Sequence, residues 1–504
     1  MLTLREIFLY SDRMPLIFSQ YLFLFLFTIG FAIFSILKGR ITWRNSYLLL
    51  FSLFFYYKSG GLYFWLLILS TIVDYYCGSA IYKSDRKRYR TFMLVISLLV
   101  NLGLLGFFKY SGYFSELINT AFNTNFEVVN FMAFAANGFG GNFDIHEIIL
   151  PVGISFYTFQ TLSYTIDIYR KQLKPADNIL DFGFFVTFFP QLVAGPIVRA
   201  SEFLPQIHKR FKLTREEFGA AVFLIMCGLF KKVVISDYIS INFVDRVFEN
   251  PELYIGFSNL MAVYGYSIQI YCDFSGYSDM AIGLAALLGF KLPINFNSPY
   301  KAVSITDFWR RWHISLSTWL RDYLYISLGG NRKGKIRTYI NLMITMLLGG
   351  LWHGAATKFI IWGGLHGLAL AIHKLWMRYF PAIAGKSSKA YRMLAGFITF
   401  HFVAFCWIYF RADSLDTVYT MLNQIVYRFQ WSGIWERLVE FRQVFSLITL
   451  GFIIHFLPGK WKDAAREWYS FIPDLAKAAV FALVIFITFQ AKSADVQPFI
   501  YFQF

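Results

Sequence analysis

Apolar runs recur along the chain with short polar or basic breaks between them. They lie near 16–37, 46–57, 62–81, 91–108, 148–168, 217–236, 257–275, 338–352, 358–376, 394–410, 444–457 and 472–491. A full crossing of a bilayer needs about 20 residues, so several of these runs are short. Pieces that cross only part of the way are tolerated where a bundle surrounds them. The pattern predicts an all-α polytopic integral membrane protein of roughly 11–12 transmembrane helices, with re-entrant and interfacial helices. No repeat of fixed period and no low-complexity linker divides the chain, so one domain is expected over 1–504. It comprises N-terminal spans in 1–110, a core over 148–376 and C-terminal spans in 394–504.

Composition sharpens this picture. Of 504 residues, 57% are hydrophobic and 15% charged, against about 25% charged in soluble domains. Aromatics make up 21%, with 59 phenylalanines. An ordinary soluble enzyme, a disordered chain, a coiled coil and a collagen are thereby excluded. The net charge of +17 reads as basic loops that hold one side of a membrane protein rather than as a nucleic-acid footprint. Cys77, Cys227, Cys272 and Cys406 lie in apolar segments without a CxxC pair, so neither a disulfide framework nor a metal site is expected. The first run, Leu16–Leu37, reads as a span and not as a cleaved signal.

Lys and Arg set the expected orientation. The Lys83–Arg90 loop, the 199–215 segment and the 301–337 stretch are basic and should be cytoplasmic; 301–337 carries eight basic residues against Asp307 and Asp322. No Lys or Arg occurs between Lys109 and Arg170, which makes 110–147 a translocated loop. The acidic 237–255 loop suits the same outer side. Parity then requires 180–198, with Pro190, Gly195 and Pro196, to enter and return. The run at 279–290 is too short to cross.

Of the eight histidines, His353 stands out, in Leu347-Leu348-Gly349-Gly350-Leu351-Trp352-His353-Gly354. Counted from Arg337 at the cytoplasmic edge, it falls ~24 Å along a helix, deep in a core about 30 Å thick. Two readings stand level: a base that takes a proton from an attacking hydroxyl, or a packed histidine bonded to a carbonyl. His313 lies in a segment from Asp307 to Tyr323 that reads as an amphipathic interfacial helix. Arg310, Arg311 and Arg321 on it either hold a donor's phosphates, as guanidinium groups do, or anchor the helix to anionic headgroups.

Acids in apolar segments need partners or water. Asp273-Phe274-Ser275-Gly276-Tyr277-Ser278-Asp279 reads as a helix break, where Asp273, Ser275 and Asp279 either line a cavity or serve structural hydrogen bonds. Gly329–Ile336 mimics GxxxxGK but lacks the final Ser or Thr and a preceding strand. His366 and His373 share a helix face without a third metal ligand, and no GxSxG occurs.

Together these segments resemble the membrane-bound O-acyltransferase family, in the branch that acetylates bacterial cell-surface polysaccharides such as alginate. The likeness is carried by Phe189–Arg199, Tyr271–Asp279, Ser298–Tyr323, Gly350–Gly354, Trp407–Asp413 and the terminal Phe499–Phe504. It covers most of the chain from about residue 150; residues 1–110 match in hydropathy alone. The resemblance implies a bundle around a central tunnel, with His353 as the catalytic histidine, Trp352 in the tunnel wall and His313 as a second family histidine nearer the cytoplasm. It implies acetyl-CoA as donor with no bound cofactor or metal. It also implies a bacterial inner-membrane location among lipids and a separate extracytoplasmic acetyltransferase as partner. Two other classes share parts of the pattern: D-alanyl transfer to teichoic acids, and a polysaccharide or lipid transporter. A transporter would not require Trp352-His353-Gly354.

Overall fold

The computed structural model describes residues 7–11, 15–138, 144–381 and 388–491, which are helical with no strand among them. The 499–504 motif lies outside the described residues. Six helical stretches are long and apolar enough to cross a bilayer. A seventh is counted if Ile434–Glu440 and Arg442–Phe456, bent by 85°, form one span. Other runs in the hydropathy pattern correspond to helices with polar or charged buried faces, such as Gly256–Leu287 and Lys335–His353. Ile41–Lys83 carries two of the expected runs, as 20-residue halves joined by the turn Gly61–Tyr63.

Three expected breaks are absent. The Lys87–Phe122 helix has 36 residues, ~54 Å at 1.5 Å per residue. It therefore runs well into the segment expected as an outer loop and stops only where Asn123 turns left-handed (φ 50°). The acidic 237–255 segment is not a loop from its start. A stretch from Arg215 continues to Glu249 through π-helical turns at Phe230–Asp237 and Ser240–Val244. Asp237 is turned inward there and pairs with Lys232 at 2.7 Å. The Asp273–Asp279 stretch is likewise no break, and 279–290 is no separate run. Gly256–Leu287 is one helix of 32 residues. Its Gly276 serves close packing instead, since a Cβ there would lie 2.8 Å from the Gly228 carbonyl oxygen of the neighbouring helix. The partner helix starts on a capping box, in which Thr214 Oγ1 accepts from the Glu217 amide and Glu217 accepts from the Thr214 amide.

A fourth expectation fails in the opposite sense. The Asp307–Tyr323 segment is not one amphipathic helix but two short ones, Ile305–Trp309 and Ile314–Trp319, followed by a π-helical turn Leu320–Tyr325. His313 forms the break, with φ 43°. Phe308, Trp312 and Trp319 are buried rather than interfacial. The 180–198 segment is broken as expected. Ile179–Thr187 and Phe189–Leu192 are short helices, and the chain from Val193 to Val198 is non-helical and buried. Buried acids find partners: Asp74 accepts from Ser97 (2.5 Å) and Asn101 (2.8 Å), and Asp167 from Tyr323 (2.8 Å).

Candidate active site

His353 is the last residue of the Lys335–His353 helix. This helix and Thr357–Tyr379 touch through backbone. A Cβ on Gly350 would meet the Phe359 carbonyl oxygen and lie 3.1 Å from the Gly363 Cα, while one on Gly363 would meet the Met346 carbonyl oxygen. A helix end leaves carbonyls without intrahelical donors, and here the long Lys87–Phe122 helix supplies them. Lys109 Nζ donates to the carbonyls of Trp352 (2.6 Å) and His353 (3.2 Å), and Tyr110 donates to that of Leu351 (2.9 Å). The imidazole is buried, with ring centres of Trp352 and Trp362 at 5.0 Å and of Phe410 at 5.2 Å.

A cavity of about 770 Å³ opens beside this helix end, lined by His353, Trp352, Lys109, Glu147, Phe156 and Tyr10 among others. Its wall thus combines an imidazole, an ammonium and a carboxylate with aromatic rings, a mixture suited to an organic substrate with a reacting polar group.

His313 also approaches Trp352, at 6.1 Å between ring centres. It is wholly buried. The loop residue Asn295 fixes the break around it: its carbonyl accepts from the Ile314 amide (2.9 Å), and its side-chain oxygen accepts from the Ser315 amide (3.2 Å) and hydroxyl (2.8 Å). The same oxygen lies 3.2 Å from His313 Nδ1. An acceptor there makes Nδ1 the protonated nitrogen and Nε2 the basic one.

The fold therefore brings Trp352, His353 and His313 together. It does not bring the other candidates to the cavity lining. Asp273 pairs with Lys232 (2.6 Å), and Asp279 with Lys231 (2.5 Å), which also donates to Ser275 (3.2 Å). Arg311 is engaged by Asp307 (2.9 Å) and Arg321 by Asp322 (2.6 Å), while Arg310 is exposed. Asp322 also holds Arg199 at 2.5 Å. Burial alone would raise the Asp322 carboxyl, but Arg321 and Arg199 outweigh it and hold it below the usual range. Lys109, Asn295 and the Lys231–Lys232 pair do not stand out in the sequence pattern. Lysines inside an apolar run are a signal for buried acids elsewhere in the bundle, and Lys109 is the last base before the stretch that lacks Lys and Arg.

The sequence model of the membrane-bound O-acyltransferase family matches residues 170–412, which include both histidines. The chain is 38% identical over 441 residues to the peptidoglycan O-acetyltransferase of Helicobacter pylori, covering 82% of this chain and 80% of that one. The chain belongs to the membrane-bound O-acyltransferase family. It is thus an O-acyltransferase and a multi-pass membrane protein. Among other members of the family, the probable alginate O-acetylase AlgI of Pseudomonas aeruginosa is 41% identical over 410 residues, or 81% of this chain and 74% of that one. The teichoic acid D-alanyltransferase of Bacillus subtilis is 31% identical over 275 residues, 52% of this chain and 68% of that one. The O-acyltransferase's Lys109 lies outside the matched 170–412 region yet contacts the end of the histidine helix within it.

Proposed function

We propose that this O-acyltransferase moves acetyl groups from cytoplasmic acetyl-CoA across the membrane for O-acetylation of an extracytoplasmic polysaccharide. The observation that carries the reading is His353 at the end of a glycine-packed helix, in the wall of a cavity. Acceptance of an acetyl rather than a D-alanyl group is supported by the higher identity and coverage of the acetylating relatives.

The reaction begins when an acceptor hydroxyl enters the cavity and gives its proton to the His353 imidazole. The oxygen attacks the thioester carbonyl carbon, a C–O bond forms and the C–S bond breaks. The departing thiolate takes the proton from the imidazolium, so the products are an O-acetyl ester and free CoA thiol. His313, across Trp352, orients the donor side of the same centre. A separate extracytoplasmic acetyltransferase completes delivery to the polymer. The positive-inside rule puts the basic 301–337 segment in the cytoplasm and 110–147 outside.

The test uses vesicles holding the purified protein, with the extracytoplasmic acetyltransferase partner, acetyl-labelled acetyl-CoA and an acetylatable glycan added. Label should reach the acceptor with the wild-type protein and not with His353→Ala at equal insertion. Near-normal transfer by the variant would overturn the role of His353. For orientation, single cysteines at Ser304 and Asn123 in a cysteine-free background should label from opposite sides. Labelling of Asn123→Cys only after permeabilisation would reverse the topology.

A further inference from the structure

On the face that carries the 301–337 segment, three lysines converge on a group of packed rings. His455 accepts from the Tyr300 amide at 3.1 Å, and its ring lies 4.6 Å from Tyr271 and 5.1 Å from Tyr300. Lys231 Nζ stands 5.9 Å from the centre of the Tyr271 ring. Lys462 Nζ donates to the His455 carbonyl (3.1 Å) and to Ser298 Oγ (3.2 Å), and Lys301 Nζ to the Leu457 carbonyl (2.7 Å). All three lysines are half-buried.

Carboxylates do not match them. Asp279 is taken by Lys231. Asp463, next to Lys462, pairs with Arg466 at 3.1 Å, and Asp273 is taken by Lys232. Among the described residues no carboxylate stands within ion-pair distance of Lys301 or Lys462. Burial and the neighbouring ammonium groups of Lys301 and Lys231 pull Lys462 down to about 8, a sign of how closely the charges crowd. Carbonyls at the end of the Arg442–Phe456 helix favour a cation there. Those carbonyls engage Lys462 and Lys301, yet they are neutral and leave three ammonium groups facing one carboxylate. Surplus, partly desolvated cations of this kind are neutralised well by an anion with several acceptor oxygens.

We propose that Lys231, Lys301 and Lys462, with Ser298, form a phosphate-binding site that takes the phosphates of the acyl donor. The proposal rests on the acetyl-CoA reading and moves the phosphate contacts from Arg311 and Arg321, which are engaged by their own acids, to these lysines. A chain of packed rings joins the cluster to the reaction centre. Tyr271 lies 5.9 Å from Phe296, Phe296 lies 5.0 Å from Phe274, and Phe274 lies 4.6 Å from His313.

The experiment compares two thioesters in vesicles of phosphatidylcholine alone: acetyl-CoA, and S-acetyl-pantetheine, which has the same reacting end and no phosphate. Lys301→Gln and Lys462→Gln should each raise KM for acetyl-CoA about tenfold or more, the loss of one charge-assisted hydrogen bond. They should leave the ratio of kcat values between the two thioesters near that of wild type. Lys462→Arg, which keeps the charge, should restore most of the KM and so separates charge from folding. Equal KM changes for both thioesters would overturn the site. So would variants that match wild type in phosphatidylcholine and differ only when phosphatidylglycerol is added, since the lysines would then hold lipid headgroups. Wild-type turnover of neither thioester would instead remove the acetyl-CoA reading itself.

Discussion

His353 ends a helix whose backbone presses on its neighbour through glycines, and its imidazole lies in the wall of a cavity. His313 sits in a left-handed break, sealed from solvent and fixed by the side chain and backbone of a residue on another loop, Asn295. The two flank one indole, Trp352, from different elements. The first arrangement sets the residue against a cavity that a substrate can enter. The second spends the ring's Nδ1 on a protein hydrogen bond. Two residues of the same type are thus suited to different work by what grips them.

The sharpest way to break this contrast is to remove the rings. His353→Ala should lower acetyl transfer by ~10²–10⁴-fold, the contribution of a positioned general base, in a single-turnover assay at equal expression. His313→Ala should cost less, on the order of tenfold, and Asn295→Ala should reproduce a fraction of that loss because it frees Nδ1 and the break. If Asn295→Ala left the His313 contribution untouched, the grip described for His313 would be irrelevant to its chemistry.

How far this contrast can be read without coordinates depends on what supports each residue. The place of His353 is legible because local signals agree: an apolar run that starts at a basic edge, glycines, and Trp352 beside the imidazole. His313 misleads because its neighbours have the apolar spacing of an amphipathic helix. The break is made by Asn295, whose hydrogen bonds come from a separate loop and leave no mark in the local pattern. Asp273 and Asp279 mislead similarly. Two acids and a glycine in one short stretch look like a helix end, but Lys231 and Lys232 on the adjacent helix neutralise them and Gly276 lets that helix come close. The number of crossings blurs for the same reason, since helices that bury ion pairs lose the apolar average that marks a span.

A milder probe sits outside the family-matched region. Lys109→Met keeps an unbranched chain but removes two hydrogen bonds to the end of the His353 helix. We expect a fall of several-fold in kcat with little change in donor KM, because the group acts on the position of His353 rather than on a substrate; this is about the worth of one charge-assisted bond. A change confined to KM would put Lys109 in contact with a ligand instead.

The smallest effect concerns the turn that follows His313. Asp322 is held below the usual carboxyl range, so its contribution to stability is complete above the unfolded value, about 4. It is lost as pH falls through the lowered folded value. Asp322→Asn should therefore lower the melting temperature in detergent at pH 7 slightly. The gap from wild type should close as the buffer is taken below the ordinary carboxyl range. A gap that widened toward acid would reverse the sign of the shift.

The glycine contact between Gly350 and Gly363 has a consequence for the energetics of turnover. With no side chain between the two helices, the turn carrying His353 has few conformations available before a substrate arrives. A base with little freedom left has little entropy to lose on reaching the transition state, so part of that cost is met when the bundle folds rather than at each turnover. Any substitution that separates the helices would return this entropy to the resting enzyme. It would appear as a less favourable activation entropy, even where the imidazole itself is unchanged.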